Sequence, residues 1–348
     1  MGAPTAAARL PGPGPAWFGA VMGTGILATL LQIQSTRVAA LGAVASVILA
    51  LGWTLLVGLS AGFIRSVLRD PGEWRRLSGD ASHLPLWGTV SMGLVSVGSA
   101  TLVVLPAHLA GSAPVAVAVD SVLWVTGTAL GVATALGFAA WLVRRRPGHP
   151  LPTWALPMVP PMVSATVGAG LVPRVPFPAG RALLVAVCAA LFALALVLGV
   201  VVIVVAYHHA LRRRPIPLEL STSTWIPLGI AGQSTAAAQI IPSEARAFLS
   251  PAAGEALASA GRVYGYCALG VGAAFAVVAV IVTVRGFVRR MPFSPGWWSM
   301  TFPVGTCSLG AHHLGWEAAS LGALALLCGT WTLSAVASLR AATAPRRG

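Results

Sequence analysis

Apolar runs of roughly 18 to 25 residues, long enough to cross a bilayer as helices, follow one another along almost the whole chain. Lipid offers no water to backbone N–H and C=O groups, so such a chain must close its hydrogen bonds within helices or a closed barrel. Continuous Leu, Val and Ala without strict alternation point to helices. Ten spans are expected at about 16–34, 38–63, 87–106, 117–142, 153–173, 181–207, 224–242, 262–284, 297–314 and 318–339. Composition agrees, since 9% of the 348 residues are charged against about 25% in a soluble domain. The fold class that follows is an all-α polytopic membrane protein with a transmembrane domain over residues 16–340. The Pro/Gly-rich residues 1–15 are expected to be a disordered cytoplasmic N-terminus, and residues 341–348 a short cytoplasmic tail.

The formal charge is +14, and every basic residue is an arginine. The arginines sit between apolar runs rather than in a stripe interleaved with aromatics, so nucleic acid is excluded as a partner. Their placement alternates. Arg37, Arg174, Arg181, Arg246 and Arg262 fall in one set of connections and the other seventeen in the alternate set. By the positive-inside rule both termini are cytoplasmic, and an even number of spans is required. The plasma membrane is the expected location. Cys188, Cys267, Cys307 and Cys328 stand apart with no CxxC, which supports neither a disulfide framework nor zinc. No metal or cofactor is expected.

The odd-numbered spans begin alike. Each opens on a tryptophan, Trp17, Trp87, Trp154, Trp225 or Trp297, a residue suited to the membrane interface. The fixed period of about seventy residues marks a repeated unit, here a helical hairpin. Odd spans are rich in Gly, Ser, Thr and Pro; even spans are Leu/Val/Ala. Small residues favour close helix contacts or a cavity. Prolines inside a span (Pro157, Pro160, Pro161, Pro227, Pro303) need protein or water to satisfy the carbonyls they free. Five odd helices are therefore expected at the centre and five even helices around them, in quasi-five-fold arrangement about a central pore. A closed bundle is the alternative, but five kinked, thinned helices exceed what ordinary packing needs.

The inner spans hold no Asp, Glu or Arg. A cation path would normally carry a carboxylate. Thr24, Ser91, Ser164, Thr166, Gln233, Ser234, Thr235 and Thr306 offer neutral donors, and helix breaks add free N–H groups that favour anions. Each of these side chains can equally serve helix packing. Phe302, a large ring beside Pro303 in a small-sided segment, either projects into the axis and blocks it or packs between helices. His312 and His313 fall near the outer end of span nine and are candidates for an anion mouth or a pH sensor. Adjacent residues do not share a helix face, so neither this pair nor His208 and His209 makes a metal site.

WFGAVMGTGILATLL in span one, LGIAGQSTAAAQ in span seven and WWSMTFPVGT in span nine resemble the tellurite-resistance/dicarboxylate transporter family. That family includes plant slow anion channels, fungal malate permeases and sulfite exporters. The resemblance covers roughly Ala16 to Leu339. It implies five hairpins around a central path, a homotrimer, and an occluding phenylalanine matched here by Phe302 before Pro303. It also carries over Gly23, Thr24 and Gly25, and Gly232, Gln233 and Ser234, as path-lining or path-shaping residues. The function it implies is a permease or channel for a small anion such as sulfite, a C4-dicarboxylate such as malate, or an inorganic anion. A proton-coupled carrier is the alternative, with His312 or His313 as its coupling group in the absence of a membrane-embedded carboxylate. A membrane enzyme would need groups converging at one depth, and the candidates do not.

Overall fold

The structure is a computed structural model that describes residues 11–79, 83–145, 147 and 149–343. Most of the expected disordered N-terminus and cytoplasmic tail lies outside them. Within them, a short 3-10 helix already begins at Pro15, and the last helix runs on to Thr343.

In chain order the α-helices are α1 (Phe18–Gln34), α2 (Ala40–Arg69), α3 (Pro71–Gly79), α4 (Trp87–His108), α5 (Ala113–Arg145), α6 (Pro160–Leu171), α7 (Pro178–Arg212), α8 (Ile226–Ala245), α9 (Pro251–Val288), α10 (Phe302–His313) and α11 (Glu317–Thr343). Among the described residues, eight helical segments, some including the 3-10 turn before the helix, are long and apolar enough to cross a membrane. The expected seventh and ninth spans, α8 and α10, are not among them. Helix α8 carries Gln233, Gln239 and Glu244 along its length, and α10 is only 12 residues long.

Hairpin partners contact one another, and α1, α4, α6, α8 and α10 also contact each other in succession, with α10 returning to α1. Burial separates the two sets. In Pro152–Arg174, which contains α6, 94% of the apolar window is buried, against 17% in Pro251–Val288. The Leu/Val faces of α2, α5, α7 and α9 leave Val47, Val122, Val201 and Ile281 exposed, as lipid-facing helices should.

Of the prolines expected to kink the inner helices, Pro157 lies inside a 3-10 segment and the other four start α-helices instead. A 3-10 turn precedes each inner α-helix: Pro15–Trp17, Leu84–Leu86, Pro152–Met158, Leu218–Trp225 and Pro295–Met300. Pro160 and Pro161, Pro227 and Pro303 then occupy the first α-helical turn. There the missing N–H has no partner to lose and the fixed φ already suits the helix. The repeated tryptophans mark these junctions but do not all face an interface. Trp225 is 3% exposed and donates its indole N–H to Thr283 Oγ1 of α9 at 2.9 Å, and Trp154 is also buried. These two pin an inner segment to its surroundings.

Two features were not expected. Helix α9 begins eleven residues before the predicted span because Ser250 caps it, accepting from the Ala253 N–H, and Pro251 takes the first position. Helix α3 is a short polar helix. Gly72 N–H and Arg76 both donate to Asp70, and the Arg76 guanidinium holds the Asp70 carboxyl below the usual carboxylate range. Ser66 ties α2 to Glu73.

Candidate functional site: an apolar constriction where the inner segments meet

Residues from all five inner segments line one small cavity. Met22 comes from α1, Met92 from α4, Leu156 and Val159 from the approach to α6, Ile226 and Gly229 from α8, and Ser299, Phe302 and Pro303 from the α10 junction. Its volume is about 10 Å³, roughly the room of one water molecule. Phe302 is 2% exposed and Met92 1%. No charged group lines the cavity. A cavity of this size has no room for a hydrated ion while the side chains stand as they do.

The local fold explains why Phe302 is there. The Pro295–Met300 turn ends at Thr301, whose hydroxyl donates back to Trp298 O at 2.7 Å, and α10 begins at Phe302. Phe302 is thus the first residue of a helix. Helices α6 and α8 also begin at this level, since Val159 caps α6 and Ile226 opens α8. Three α-helices therefore open at the constriction, and helix N-termini in general favour anions.

Register sorts the other candidates. Gln233 lies seven residues beyond Ile226 and four beyond Gly229, on the same face of α8; Thr306 lies four beyond Phe302. Gln233 is 2% exposed and its Oε1 has no hydrogen-bond partner. Thr166, on the face of α6 shared with Val159, donates to Gln233 O at 3.3 Å. Thr306 donates to Pro303 O at 2.7 Å and reaches Leu228 O at 3.3 Å. These residues form a more polar layer one to two turns beyond the apolar one.

Thr24 and Ser91 are occupied elsewhere. The Thr24 hydroxyl accepts from Trp331 Nε1 of α11 at 3.0 Å, and Ser91 donates to Gly127 O of α5 at 2.6 Å. Both join an inner helix to an outer one. Ser234 and Thr235 bond back to Ala231 O. Ser164 is fully buried with its hydroxyl unpartnered, while its carbonyl takes the Trp124 indole N–H at 2.8 Å. The glycines shape contacts: a Cβ on Gly23 would strike Thr301, one on Gly25 would lie 2.9 Å from the Ser96 backbone, and one on Gly232 would strike the backbone of Thr306 and Cys307.

His312 and His313 lie at the far end of α10. His312 Nδ1 is 2.9 Å from Glu317 Oε1, and Arg37 approaches the other oxygen, Oε2, at 3.4 Å. His313 lines a second cavity with Arg246 and Arg262.

One membrane-embedded carboxylate escaped the sequence reading. Asp120, expected near a span end, is fully buried within α5, and neither oxygen has a hydrogen-bond partner. Its Oδ1 fills the place a side chain at Gly98 of α4 would take, at 2.7 Å. The premise that no membrane-embedded acid exists is therefore corrected. The legible signal was its place, the eighth residue of a 33-residue apolar helix.

Comparison with known proteins identifies the family. Residues 14–342 match the family model described as SLAC1, voltage-dependent anion channel. The sulfite efflux pump SSU1 of Trichophyton rubrum is 25% identical over 316 residues, covering 87% of this chain and 82% of that protein. SSU1 of Arthroderma otae is 24% identical over 314 residues, with the same coverage. With the match extending from the first 3-10 turn to the last helix, the chain is an integral membrane protein and belongs to the SLAC1 family of anion channels, the group to which its three sequence motifs point.

Proposed function

We propose that the protein is a membrane permease or channel that moves a small oxyanion along the axis enclosed by the five inner segments, and that Phe302 and its neighbours close this path. The carrying observation is the constriction itself: one apolar cavity to which every inner segment contributes, with Phe302 in its wall. The closed succession of contacts from α1 through α4, α6, α8 and α10 back to α1 supports a quasi-five-fold arrangement of ten spans, with residues 16–340 as the transmembrane domain. Anion preference rests on the helix N-termini gathered at the constriction and on the absence of a carboxylate in its wall. Sulfite is the leading substrate because the relatives named above are sulfite efflux pumps; a dicarboxylate such as malate has only the motif resemblance behind it. The arginine asymmetry supports cytoplasmic termini, and the plasma membrane is the location that goes with this reading. A homotrimer follows from the motif resemblance, and no catalytic role is assigned.

Anion flux into proteoliposomes tests this reading, with wild type beside Phe302→Ala and with sulfite, nitrate, chloride, malate and gluconate as probes. Removing the ring opens the narrowest point, so flux of at least one small anion is expected to rise about tenfold, equivalent to roughly 1.4 kcal/mol off the barrier. Met92→Ala, on the opposite wall, is expected to raise it less. Equal flux in wild type and both variants, with folding verified, would remove the constriction from the path.

A further inference from the structure

At the ends of α8 and α10 remote from the constriction lies a cavity of about 230 Å³. Gln239, Ser243, Arg246, Arg262 and His313 supply its polar lining. The residues come from α8, the turn after it, α9 and α10, so three helices build it.

Its charges are unbalanced in one direction. Arg246 Nη2 donates to Glu255 Oε2 and Arg262 Nη2 to Glu255 Oε1, both at 3.1 Å. Two guanidiniums thus share one carboxylate. By contrast, Arg37 is the single guanidinium paired with Glu317. Each guanidinium presents a planar fork of five donors, and the carboxylate takes a single Nη2 from each; Ser259 also accepts from Arg262 at 2.9 Å. One positive charge and several donors remain beside a cavity with room for a sulfate-sized group. The pairs are half exposed, at 51% and 50% for the arginines and 63% for Glu255. Exposed pairs of this kind hold weakly, so an incoming anion can displace the carboxylate. Arginine forks match oxyanions bidentately.

We propose that this cavity binds a small oxyanion between Arg246 and Arg262, with Glu255 as a tethered competitor that vacates the forks when the ligand arrives. The site rests on the anion-path reading only for its role in transport, where it concentrates anions at the mouth remote from the constriction. The same chemistry fits a free sulfite or sulfate ion and the phosphate of a lipid headgroup. Exposed Tyr266 and Trp316, edge to face at 6.4 Å, mark the region as one that suits a membrane interface.

The test measures binding without transport. The full chain in phosphatidylcholine nanodiscs is titrated with sodium sulfate at constant ionic strength, and thermal unfolding is followed, since a ligand of the folded state raises the midpoint saturably. Wild type is expected to show such a rise. Arg246→Gln/Arg262→Gln is expected to weaken half-saturation at least tenfold, and Glu255→Gln to strengthen it severalfold. Arg246→Lys/Arg262→Lys keeps the charge without the fork; it is expected to fall between wild type and the Gln pair, and it substitutes for that pair if the Gln pair misfolds. Repeating the titration with phosphatidylglycerol in the disc separates the sources. A right-shifted sulfate curve in wild type but not in the arginine variants identifies a headgroup competing for the site; no shift leaves the free ion as the ligand. Absence of a saturable rise in both wild type and Glu255→Gln, or an unchanged rise in the arginine variants, overturns the site. Loss of binding in Glu255→Gln overturns the competitor role. Sulfate binding with no anion flux in any variant would sink the path and leave the site standing.

Discussion

The inner and outer helices of each hairpin are neighbours in sequence, yet inward-facing and outward-facing glycines meet different surroundings. In α8, Gly232 lets the backbone of α10 approach so closely that a single Cβ would collide with Thr306 and Cys307. In α9 and α11, Gly270 and Gly322 have nothing within 4 Å of where a Cβ would stand. Polar groups divide the same way. Ser91 and Thr306 on inner helices bridge to α5 and α8, whereas Thr54 and Thr332 on the outward faces of outer helices bond back to their own carbonyl four residues earlier. Outer hydroxyls that face inward, such as Thr283 and Ser334, do meet inner segments, so the face a residue occupies decides whether it is structural.

The contrast is most sharply tested at Gly232. Gly232→Ala is expected to destabilise the fold by about 3 kcal/mol or more, since the obstruction is backbone that cannot swing aside. Chemical denaturation in detergent checks it, and a midpoint close to wild type would mean that α8 and α10 can separate at little cost. A smaller effect of opposite sign is expected at the junction of the layers. Asp120→Asn replaces a buried carboxylate that no donor meets with a neutral group of the same shape, and stability is expected to rise by about 1 to 2 kcal/mol. A fall would show that the carboxylate is held, with Arg174, the cation whose field reaches it, the first partner to examine. Least of all should happen at Gly270. Gly270→Ala is expected to change stability by less than about 1 kcal/mol, in the stabilising direction set by helix propensity. A loss as large as that at Gly232 would show that the outer face of α9 is covered by another chain instead of lipid.

Much of this was readable in advance. Helices lie where the ten apolar runs are, to within a few residues for most, and eight of them are long and apolar enough to cross a membrane among the described residues, because a membrane helix is specified by composition over a length that the bilayer fixes. The roughly seventy-residue spacing of Trp17, Trp87, Trp154, Trp225 and Trp297 located the five junctions. The early start of α9 was also legible, since Ser250 followed by Pro251 is a helix-start signal; the extra turns hold Glu255 and lead to Arg262, where the expected span began. Those charges turned out to pair with each other and with Arg246.

The candidate site was less legible, residue by residue. Thr24, Ser91, Gln233 and Thr306 look alike as neutral polar residues on small-sided helices. Only the packed molecule assigns Thr24 to Trp331 and Ser91 to Gly127, while it leaves Gln233 Oε1 unpartnered in the layer beyond Phe302. Likewise Met22, Met92 and Ile226 carry no mark in the sequence that sets them apart from other apolar residues of their spans.

The sequence by itself determined that this chain is a helical membrane protein built of repeated hairpins, with an uncharged, small-sided layer, because those properties are sums over many residues and need no knowledge of what touches what. The tertiary structure decided which prolines start helices, which hydroxyls are spent on neighbouring helices, and which five segments bring an apolar wall to one point. Those outcomes depend on the rotation and depth of each helix against the others, and a rotation of 100° per residue turns neighbours in sequence toward different partners in space.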